Sequence, residues 1–235
     1  MTRSSPDAHR PAGADESPPP PPVDPTILVR DVEEADLFDV AALHIQAFPD
    51  SVLGDLGVEA VRRNYLWQLT GPHDLAALVA LDGPRTAGYL FGGVFRGSTI
   101  GFVKSERWFL LRRVARHPTV LLRGVGRRRI TLAVRLLFRR SPSAQAEDLA
   151  SVPRRSFGVL AIAVDPSAQG RGIGGALMSE TRRRAVEGGF ESMHLTVHPT
   201  NTSAEAFYRS LGWVPSDGPD GSWSGQMTLA LDQGQ

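Results

Sequence analysis

The sequence predicts one mixed α/β domain behind a polar N-terminal tail. Apolar residues alternate with polar ones or run together over short stretches, as in strands, and elsewhere recur at i, i+3, i+4 and i+7, as in helices. A glycine-rich loop also stands between a strand pattern and a helix pattern in the C-terminal third. The 235 residues suit one domain with an insertion better than two full domains. We therefore expect a single domain over residues 26–235, with an insertion at about 102–155.

The first 25 residues form the tail. They contain the proline run Pro18 to Pro22 among Ser, Ala, Asp and Gly. Such a segment buries too little apolar surface to offset the entropy lost on ordering, so residues 1–25 are expected to be disordered. The start lacks the apolar stretch of a secretory signal peptide, and no window approaches the ~18 apolar residues of a membrane span. A cytoplasmic protein is expected.

The N-terminal half carries alternating strand and helix patterns. Asp31 followed by Glu34 resembles a capping box, which would start the first helix. An Asp-Gly-Pro turn separates two short apolar runs and predicts a hairpin. The predicted elements are a strand at 27–30, helices at 37–48 and 56–69, and strands at 75–81 and 87–95.

The C-terminal third has a clearer order. Residues 157–164 are almost continuously apolar, which predicts a strand buried on both faces. A turn at 165–169 follows, and then a helix from Gly170 that the glycine pair Gly188–Gly189 ends. The remaining predicted elements are a half-buried strand at 193–198, a short helix ending at Gly212, and a last strand at 227–231.

Composition excludes several kinds of site. The chain has no cysteine, which excludes disulfides, thiolate zinc sites and a cysteine nucleophile. Its six histidines form no HExxH pair and none stands near a carboxylate at metal-ligand spacing. No metal site is therefore expected.

The net charge of +1 hides a strong asymmetry. Residues 102–140 hold twelve Lys or Arg and one acid, Glu106, whereas the rest of the chain holds 14 basic and 24 acidic residues. This basic segment, interleaved with Leu and Ile, is predicted to be mostly helical, and residues 141–155 to be a polar loop. A segment so polarised should face something negative.

The glycine loop is a candidate anion site. Residues 169–175 read QGRGIGG and lie between a strand and a helix. Glycines there allow close backbone approach, and the free N–H groups and dipole of the helix N-terminus favour a pyrophosphate. Gly170, Gly172 and Gly175 also spell the dinucleotide fingerprint GxGxxG, but the next strand ends in His198 and Pro199 rather than in an acid, which disfavours a dehydrogenase.

Read as Gln-x-x-Gly-x-Gly, residues 169–174 resemble the acyl-CoA loop of the GNAT N-acetyltransferase superfamily. Residues 201–213, NTSAEAFYRSLGW, resemble the NxxAxxFYxxxGF stretch of the same family, with Trp213 in place of Phe. The resemblance implies a mainly antiparallel central sheet flanked by helices, with the basic segment as a helical insertion between strands 3 and 4. It implies acetyl-CoA as co-substrate and acetyl transfer to a primary amine.

The resemblance also implies site residues. The pantetheine arm would pair with backbone at 162–164, the N–H of Val164 would contact the thioester oxygen, and Asn201 would bind the arm or a water. The expected acetyl-CoA residues are Ile162, Ala163, Val164, Gln169, Gly170, Arg171, Gly172, Ile173, Gly174, Gly175, Asn201 and Tyr208. Tyr208, protonated at neutral pH, is the candidate general acid.

The general base is less clear from the sequence. Many relatives place a glutamate on the fourth strand, but residues 160–164 carry none. His198, at a strand end, is a candidate base, with a solvated surface histidine as its alternative. His44 is interpreted as a packing residue of the first helix. Direct transfer is favoured, since the chain has no cysteine to carry an acyl group.

The acceptor is predicted only as a class. The basic insertion favours an acidic or phosphorylated small-molecule amine, although its arginines would equally suit the solvated face of a helical lid. An alternative is a degenerate scaffold that binds an anionic membrane or polyanion through this insertion. Nucleic acid is disfavoured because the rest of the domain is acidic. A peripheral membrane contact and a homodimer both remain open.

Overall fold

The structure, a computed structural model, describes residues 22–94, 98–116, 156–217 and 223–232. Residues 1–21 of the predicted tail, most of the predicted insertion and its polar loop at 141–155 lie outside these ranges. The end of the predicted tail is described, and there the expectation of disorder is wrong, because Asp24 is held by the side chain and backbone of Arg171. No helix in the described ranges is long and apolar enough to cross a lipid bilayer.

The described residues alternate between strands and helices along the chain. The strands are β1 (Ile27–Asp31), β2 (Asp74–Asp82), β3 (Arg85–Val94), β4 (Ser156–Val164), β5 (Ser192–Thr196), β6 (Val214–Asp217) and β7 (Trp223–Ala230). The helices are α1 (Leu37–Ala47), α2 (Val52–Asp55), α3 (Val58–Thr70), α4 (Ser98–Ser105), α5 (Arg107–Arg116), α6 (Ile173–Glu187) and α7 (Thr202–Ser210).

The strands form one sheet in the order β1-β2-β3-β4-β5-β7-β6. Every described pair is antiparallel except β4 with β5, which is parallel and covers only three positions, from Ser156↔Ser192 to Gly158↔His194. Beyond these positions the two strands separate, while β5 stays paired with β7. The prediction of a mixed, mainly antiparallel sheet flanked by helices is confirmed.

Each face of the sheet has its own apolar core. On one face α6 contributes Ile173 and Leu177 to a cluster that includes Phe157, Met193 and Trp213. On the other face α1 and α3 pack on β2, β3 and the end of β4, in a second cluster centred on fully buried aromatic and aliphatic side chains. The two-layer covering follows from the strands' alternation, since successive side chains point to opposite faces.

Two local predictions are wrong, and one strand was missed. The capping box is Glu33 with Asp36 rather than Asp31 with Glu34, because a 3₁₀ turn (Glu34–Asp36) precedes α1 and Arg30 binds Asp36. The helix after the glycine loop begins at Ile173, since the left-handed Gly172 forms its N-cap. Sequence reasoning also missed β6, a short strand that contains Pro215 and is tolerated because it lies at the sheet edge.

The prediction that β4 is buried on both faces is also wrong. Leu160 is 46% exposed, although residues 156–158 are buried. The register with β3 shifts here, from Phe91↔Ala161 to Gly92↔Val159, so Leu160 is the extra residue of a β-bulge. The bulge coincides with the region where β5 has left β4, and the outer half of β4 lines a cleft instead of a core.

Helices α4 and α5 lie between β3 and β4 in the chain. Phe109, Leu110 and Val114 of α5 pack against Leu56 and Ala60, which puts α5 beside α3. Residues 98–116 are thus helical, as the sequence predicts for the start of the basic segment. The rest of that prediction, from 117 onward, lies outside the described residues.

Candidate functional site

A cleft of about 470 Å³ opens where β4 and β5 separate. Its walls are the outer half of β4, the glycine loop, the start of α6 and one side of α7. The lining residues are Ile162, Ala163, Val164, Ala168, Gln169, Gly170, Gly172, Ile173, Gly174, Gly175, Asn201, Ser203, Ala204, Phe207, Tyr208, Ser210 and Leu211. The structure therefore brings together all the residues predicted for acetyl-CoA except Arg171.

The backbone of β4 offers hydrogen-bonding groups to this cleft. Asp165 donates its N–H to the carbonyl of Ala87 on the β3 side, at 2.9 Å. Because successive backbone groups of a strand point to opposite edges, those of Ile162 and Val164 point away from β3, to the open edge. The Gln169 side-chain amide lies 3.5 Å from the Val164 carbonyl oxygen, which places that carbonyl on the cleft side.

The glycine loop turns sharply to present the N-terminus of α6. Asp165 starts the loop by accepting from the Ser167 N–H at 2.8 Å, and Gly170 and Gly172 adopt φ values of 79° and 75°. Such angles are strained for residues with a side chain, so glycine is required at both positions. The first N–H groups of α6 have no partner within the helix, and with the helix dipole they favour an anion at the cleft floor.

Arg171 lies in the loop, but its side chain turns away from the cleft. Its guanidinium contacts Asp24 at 2.8 Å and Asp82 at 2.5 Å, and donates to Thr26 at 3.0 Å. Hydrogen bonds from Thr26, and then from Arg171, lower the pKa of Asp24 to about 2. The side chain of Arg171 therefore anchors the loop to the β1–β2 end of the sheet, and only its backbone is available to a ligand.

Gly174 sits where α6 meets α7. A Cβ at this position would lie 3.1 Å from the Phe207 ring, closer than ordinary van der Waals contact. The absence of a side chain lets α7 close against the first turn of α6, and this contact shapes the cleft wall.

Tyr208 is buried at the inner wall of the cleft, 8% exposed. Its ring packs against Phe207 and Trp213, with centroid distances of 5.3 and 6.0 Å. Burial raises the pKa of its phenol to about 12. The group is therefore a protonated donor at neutral pH, as its predicted role requires.

Asn201 caps α7. Its side-chain oxygen accepts the Ala204 N–H at 3.1 Å, which leaves the amide NH₂ as its free polar group. Asn201 lines the cleft, so this NH₂ is the part available to a ligand.

The two histidines considered from sequence lie away from the cleft lining. His198 is exposed, and its Nδ1 lies 2.8 Å from the Thr200 hydroxyl. His44 Nδ1 contacts the hydroxyls of Tyr65 at 2.9 Å and Tyr89 at 3.1 Å. Burial lowers the pKa of His44 to about 4, so it is a neutral member of a buried network.

Sequence reasoning missed a third histidine. His194 is the last residue of β5 paired with β4, and its Nδ1 lies 2.8 Å from the Ser156 hydroxyl. The available signal was its place in the alternation of β5, which puts it on the face opposite Met193 and Leu195. Only the tertiary structure shows that His194 lies at the fork, the point where β4 and β5 stop pairing, next to the cleft but not among its lining residues. Within the described ranges, no cluster of three or more His, Asp or Glu could hold a metal ion.

Comparisons with known proteins agree with this geometry. Residues 149–213 match the model of the acetyltransferase (GNAT) family. Among solved structures, the Escherichia coli ribosomal-protein-S18-alanine N-acetyltransferase is similar over 89% of this chain and 96% of its own, with TM-score 0.51 and 16% identity. No curated protein matches the chain in sequence.

Two further solved structures carry bound coenzymes. The Thermoplasma acidophilum PaiA N-acetyltransferase, in complex with coenzyme A, matches 87% of this chain and 98% of its own with TM-score 0.52 and 12% identity. The Sinorhizobium meliloti phosphinothricin acetyltransferase, in complex with acetyl-CoA, matches 89% and 91% with TM-score 0.53 and 20% identity. At these identities the likeness establishes the fold. The chain thus has the GNAT fold, and its segment 149–213, which contains the cleft-lining residues, matches the model of the acetyltransferase (GNAT) family.

Proposed function

We propose that the protein transfers an acetyl group from acetyl-CoA to a primary amine. The observation that carries this proposal is the cleft itself, in which the free edge of β4 leads to the N-terminus of α6. An anion site and a line of backbone donors and acceptors, placed end to end, suit a pyrophosphate joined to an amide-bearing arm. The family match of residues 149–213 supports the same ligand.

In this proposal the pyrophosphate binds the N–H groups of the glycine loop and of the first turn of α6, between Arg171 and Gly174. The pantetheine arm then runs along β4 and exchanges hydrogen bonds with its cleft-facing backbone. An arm that starts at the loop meets Val164 before it meets Ile162. The thioester, at the far end of the arm, therefore lies closer to Ile162, whose N–H is better placed than that of Val164 to hold its oxygen.

The chemistry requires four balanced changes. The amine nitrogen forms a bond to the thioester carbon, and the carbon–sulfur bond breaks. The nitrogen gives up one proton, and the departing thiolate gains one, for which the protonated phenol of Tyr208 is the proposed donor. No acyl-enzyme on cysteine is available, because the chain contains none, and direct transfer is the simpler scheme.

For the acceptor we propose an acidic or phosphorylated primary amine. Among the structural relatives, one acts on the alanine of a ribosomal protein and another on phosphinothricin. The basic residues of α5 support an anionic acceptor, since Arg107, Arg112 and Arg116 are exposed and form no ion pair within the described residues.

Calorimetric titration with acetyl-CoA and with NAD tests the co-substrate. The wild type should bind acetyl-CoA and not NAD, and Gly172→Glu should abolish binding, because a carboxylate would replace the anion at the helix N-terminus. Gly189→Glu is a matched control: it also places glutamate at a left-handed glycine (φ 71°), but at the other end of α6. Absence of acetyl-CoA binding in the wild type would refute the proposal.

An acceptor screen follows with three primary amines: phosphinothricin, glucosamine 6-phosphate and a peptide that begins with alanine. Thiol release from acetyl-CoA reports turnover of each. Preference for the two anionic small molecules would agree with the proposed acceptor class. Preference for the peptide would move the acceptor to a protein N-terminus.

A second role is favoured by one surface of α5. Trp108 and Leu111 are 68% and 59% exposed, and Arg107 and Arg112 of the same helix are also exposed. Exposed Trp and Leu among unpaired cations are typical of helices that lie on anionic lipid. We propose that this surface contacts such a membrane without replacing catalysis.

Vesicle sedimentation tests the membrane contact. Vesicles with phosphatidylglycerol should pellet the protein at low salt, and the double change Trp108→Ser and Leu111→Ser should release it. The control is Leu28→Ser with Phe38→Ser, which removes two apolar side chains that are each 58% exposed on another surface. An equal loss of vesicle binding in both double variants would count against a membrane contact through α5.

A further inference from the structure

A histidine that the proposed mechanism does not use, His194, lies at the fork where β4 and β5 stop pairing. His194 is paired with Gly158 at the last position where β4 and β5 run together. Its neighbours Met193 and Leu195 point into the core under α6, so the imidazole lies on the opposite face. Ser156 and Gly158 face the same way, because Phe157 between them also packs under α6.

The imidazole is held by one nitrogen and free at the other. Nδ1 lies 2.8 Å from the Ser156 hydroxyl oxygen, whereas Nε2 has no hydrogen-bond partner among the described residues. Burial lowers the pKa of His194, and no charged side chain of the described residues contributes to that change. The ring is therefore neutral at pH 7. If Nδ1–H donates to Ser156, the Nε2 lone pair is available, and the same hydrogen bond persists after Nε2 is protonated.

Glycine at position 158 gives the imidazole its place. A Cβ on Gly158 would lie 3.0 Å from Nε2 and 3.2 Å from Cε1 of His194. The ring thus rests directly on the backbone of β4, which is possible because this strand position has no side chain. Two residues further along β4 the bulged Leu160 is 46% exposed, and the His194 side chain itself is half-buried, so part of it reaches the surface.

We propose that Nε2 of His194 accepts the proton of the acceptor amine, directly or through one water. The inference rests on the proposed acetyl transfer, in which the thioester lies on β4 towards the fork. As the nitrogen–carbon bond forms, one N–H proton passes to Nε2, the carbon–sulfur bond breaks, and Tyr208 gives its proton to the thiolate. His194 then loses its proton to solvent and Tyr208 regains one, so the cycle balances.

The amine panel above supplies the kinetic test. With phosphinothricin, glucosamine 6-phosphate or the alanine peptide, whichever turns over fastest, His194→Gln and His194→Ala should lower kcat/KM by about 10²-fold or more, the size of general-base effects. The acidic limb of the pH profile of kcat/KM should disappear in both variants. The dissociation constant for acetyl-CoA should stay within about twofold of wild type, which separates this role from cofactor binding.

Two more variants test the position of the His194 ring and the hydrogen bond at its Nδ1 separately. Gly158→Ala should displace the ring and lower kcat/KM, whereas Ser156→Ala, which removes only the hydroxyl that orients Nδ1, should have a smaller effect. Unchanged kinetics in His194→Gln, or loss of the acidic limb in His198→Ala instead, would overturn the inference while leaving acetyl transfer intact. A wild type that binds no acetyl-CoA would instead refute the proposed function.

A spectroscopic measurement needs no acceptor. Nitrogen-15 shifts of the imidazole at pH 7, with acetyl-CoA present, report which nitrogen carries the hydrogen. We expect hydrogen on Nδ1 and a lone pair on Nε2. Hydrogen on Nε2 would leave no proton acceptor facing the fork and would overturn the inference whatever the kinetics.

Discussion

The guanidinium of Arg171 lies 2.5 Å from the carboxylate of Asp82, which ties the glycine loop to the end of β2. Asp24, just before β1, takes a second contact from the same guanidinium at 2.8 Å. These bonds join residues far apart in the sequence, and they hold the backbone that leads into α6. The position of the anion site is therefore set partly by β1 and β2, which do not line the cleft.

Arg171→Ala should weaken acetyl-CoA binding more than it weakens the fold. The ion pairs are partly exposed, and such pairs contribute about 0–1 kcal/mol to stability. Loss of the anchor frees the loop, and we expect a roughly three- to tenfold higher dissociation constant by calorimetry, a binding cost of up to about 1.4 kcal/mol. Arg183→Ala, which removes an arginine paired with Glu180 on the outer surface of α6, is the control. Equal affinities in the two variants would show that the anchor does not matter.

Tyr208→Phe should lower kcat by about 10²-fold and leave acetyl-CoA affinity unchanged, because it removes only the proton donor. Burial raises the pKa of Tyr208 to about 12, so the wild-type kcat should show no basic limb from this group near pH 10. The raised pKa also means that its contribution to stability is present below pH 10 and is lost as the pH rises towards 12. Steady-state kinetics and calorimetry check both parts. Wild-type turnover in the phenylalanine variant would remove Tyr208 from catalysis.

Two substitutions separate the two functions of Asn201. Asn201→Asp keeps an oxygen that caps α7, so the free energy of unfolding should change little, but it removes the NH₂ and should weaken acetyl-CoA binding. Asn201→Ala removes both and should also cost about 1 kcal/mol of stability. Urea denaturation and calorimetry measure the two effects. If the aspartate variant bound acetyl-CoA as tightly as wild type, Asn201 would be a cap and no more.

His44 should make the fold sensitive to mild acid. Burial lowers its pKa from 6.5 to about 4, and the groups that face it are the hydroxyls of Tyr65, Tyr89 and Ser51. Below pH 6.5 His44 is protonated in the unfolded chain but stays neutral in the folded chain. The free energy of unfolding therefore falls as the pH drops towards 4, by at most about 3 kcal/mol. His44→Gln should flatten this dependence in urea denaturation between pH 7 and 4. An equally steep dependence in the variant would exclude His44 as its source.

Local patterns were enough for much of the fold. The apolar run of β4, the glycines after it and the helical period of α7 all depend on neighbours within a few residues, so they are readable in sequence. Errors fell where a contact outside the local pattern decides. Arg30 binds Asp36 in the turn before α1, which displaces the predicted capping box, and β6, with its proline, is stable only because β7 pairs with it.

The candidate site divides in the same way. The glycine loop, Asn201 and Tyr208 follow from residue types at fixed spacing, because a left-handed turn, a helix cap and a helix face are local properties. The position of His194 could not be predicted from local sequence, because it depends on where β4 and β5 stop pairing, and the paired residues are about 38 positions apart in the chain.

The sequence by itself determined the class of fold and the glycine loop before α6, since short-range periodicity predicts the first and glycines at positions of positive φ predict the second. Only the tertiary structure decided which side chains meet at the fork. The bulge at Leu160, the early end of the β4–β5 pairing and the ring of His194 over Gly158 are products of strand register. Register is fixed by packing across the whole sheet, and no local pattern specifies it.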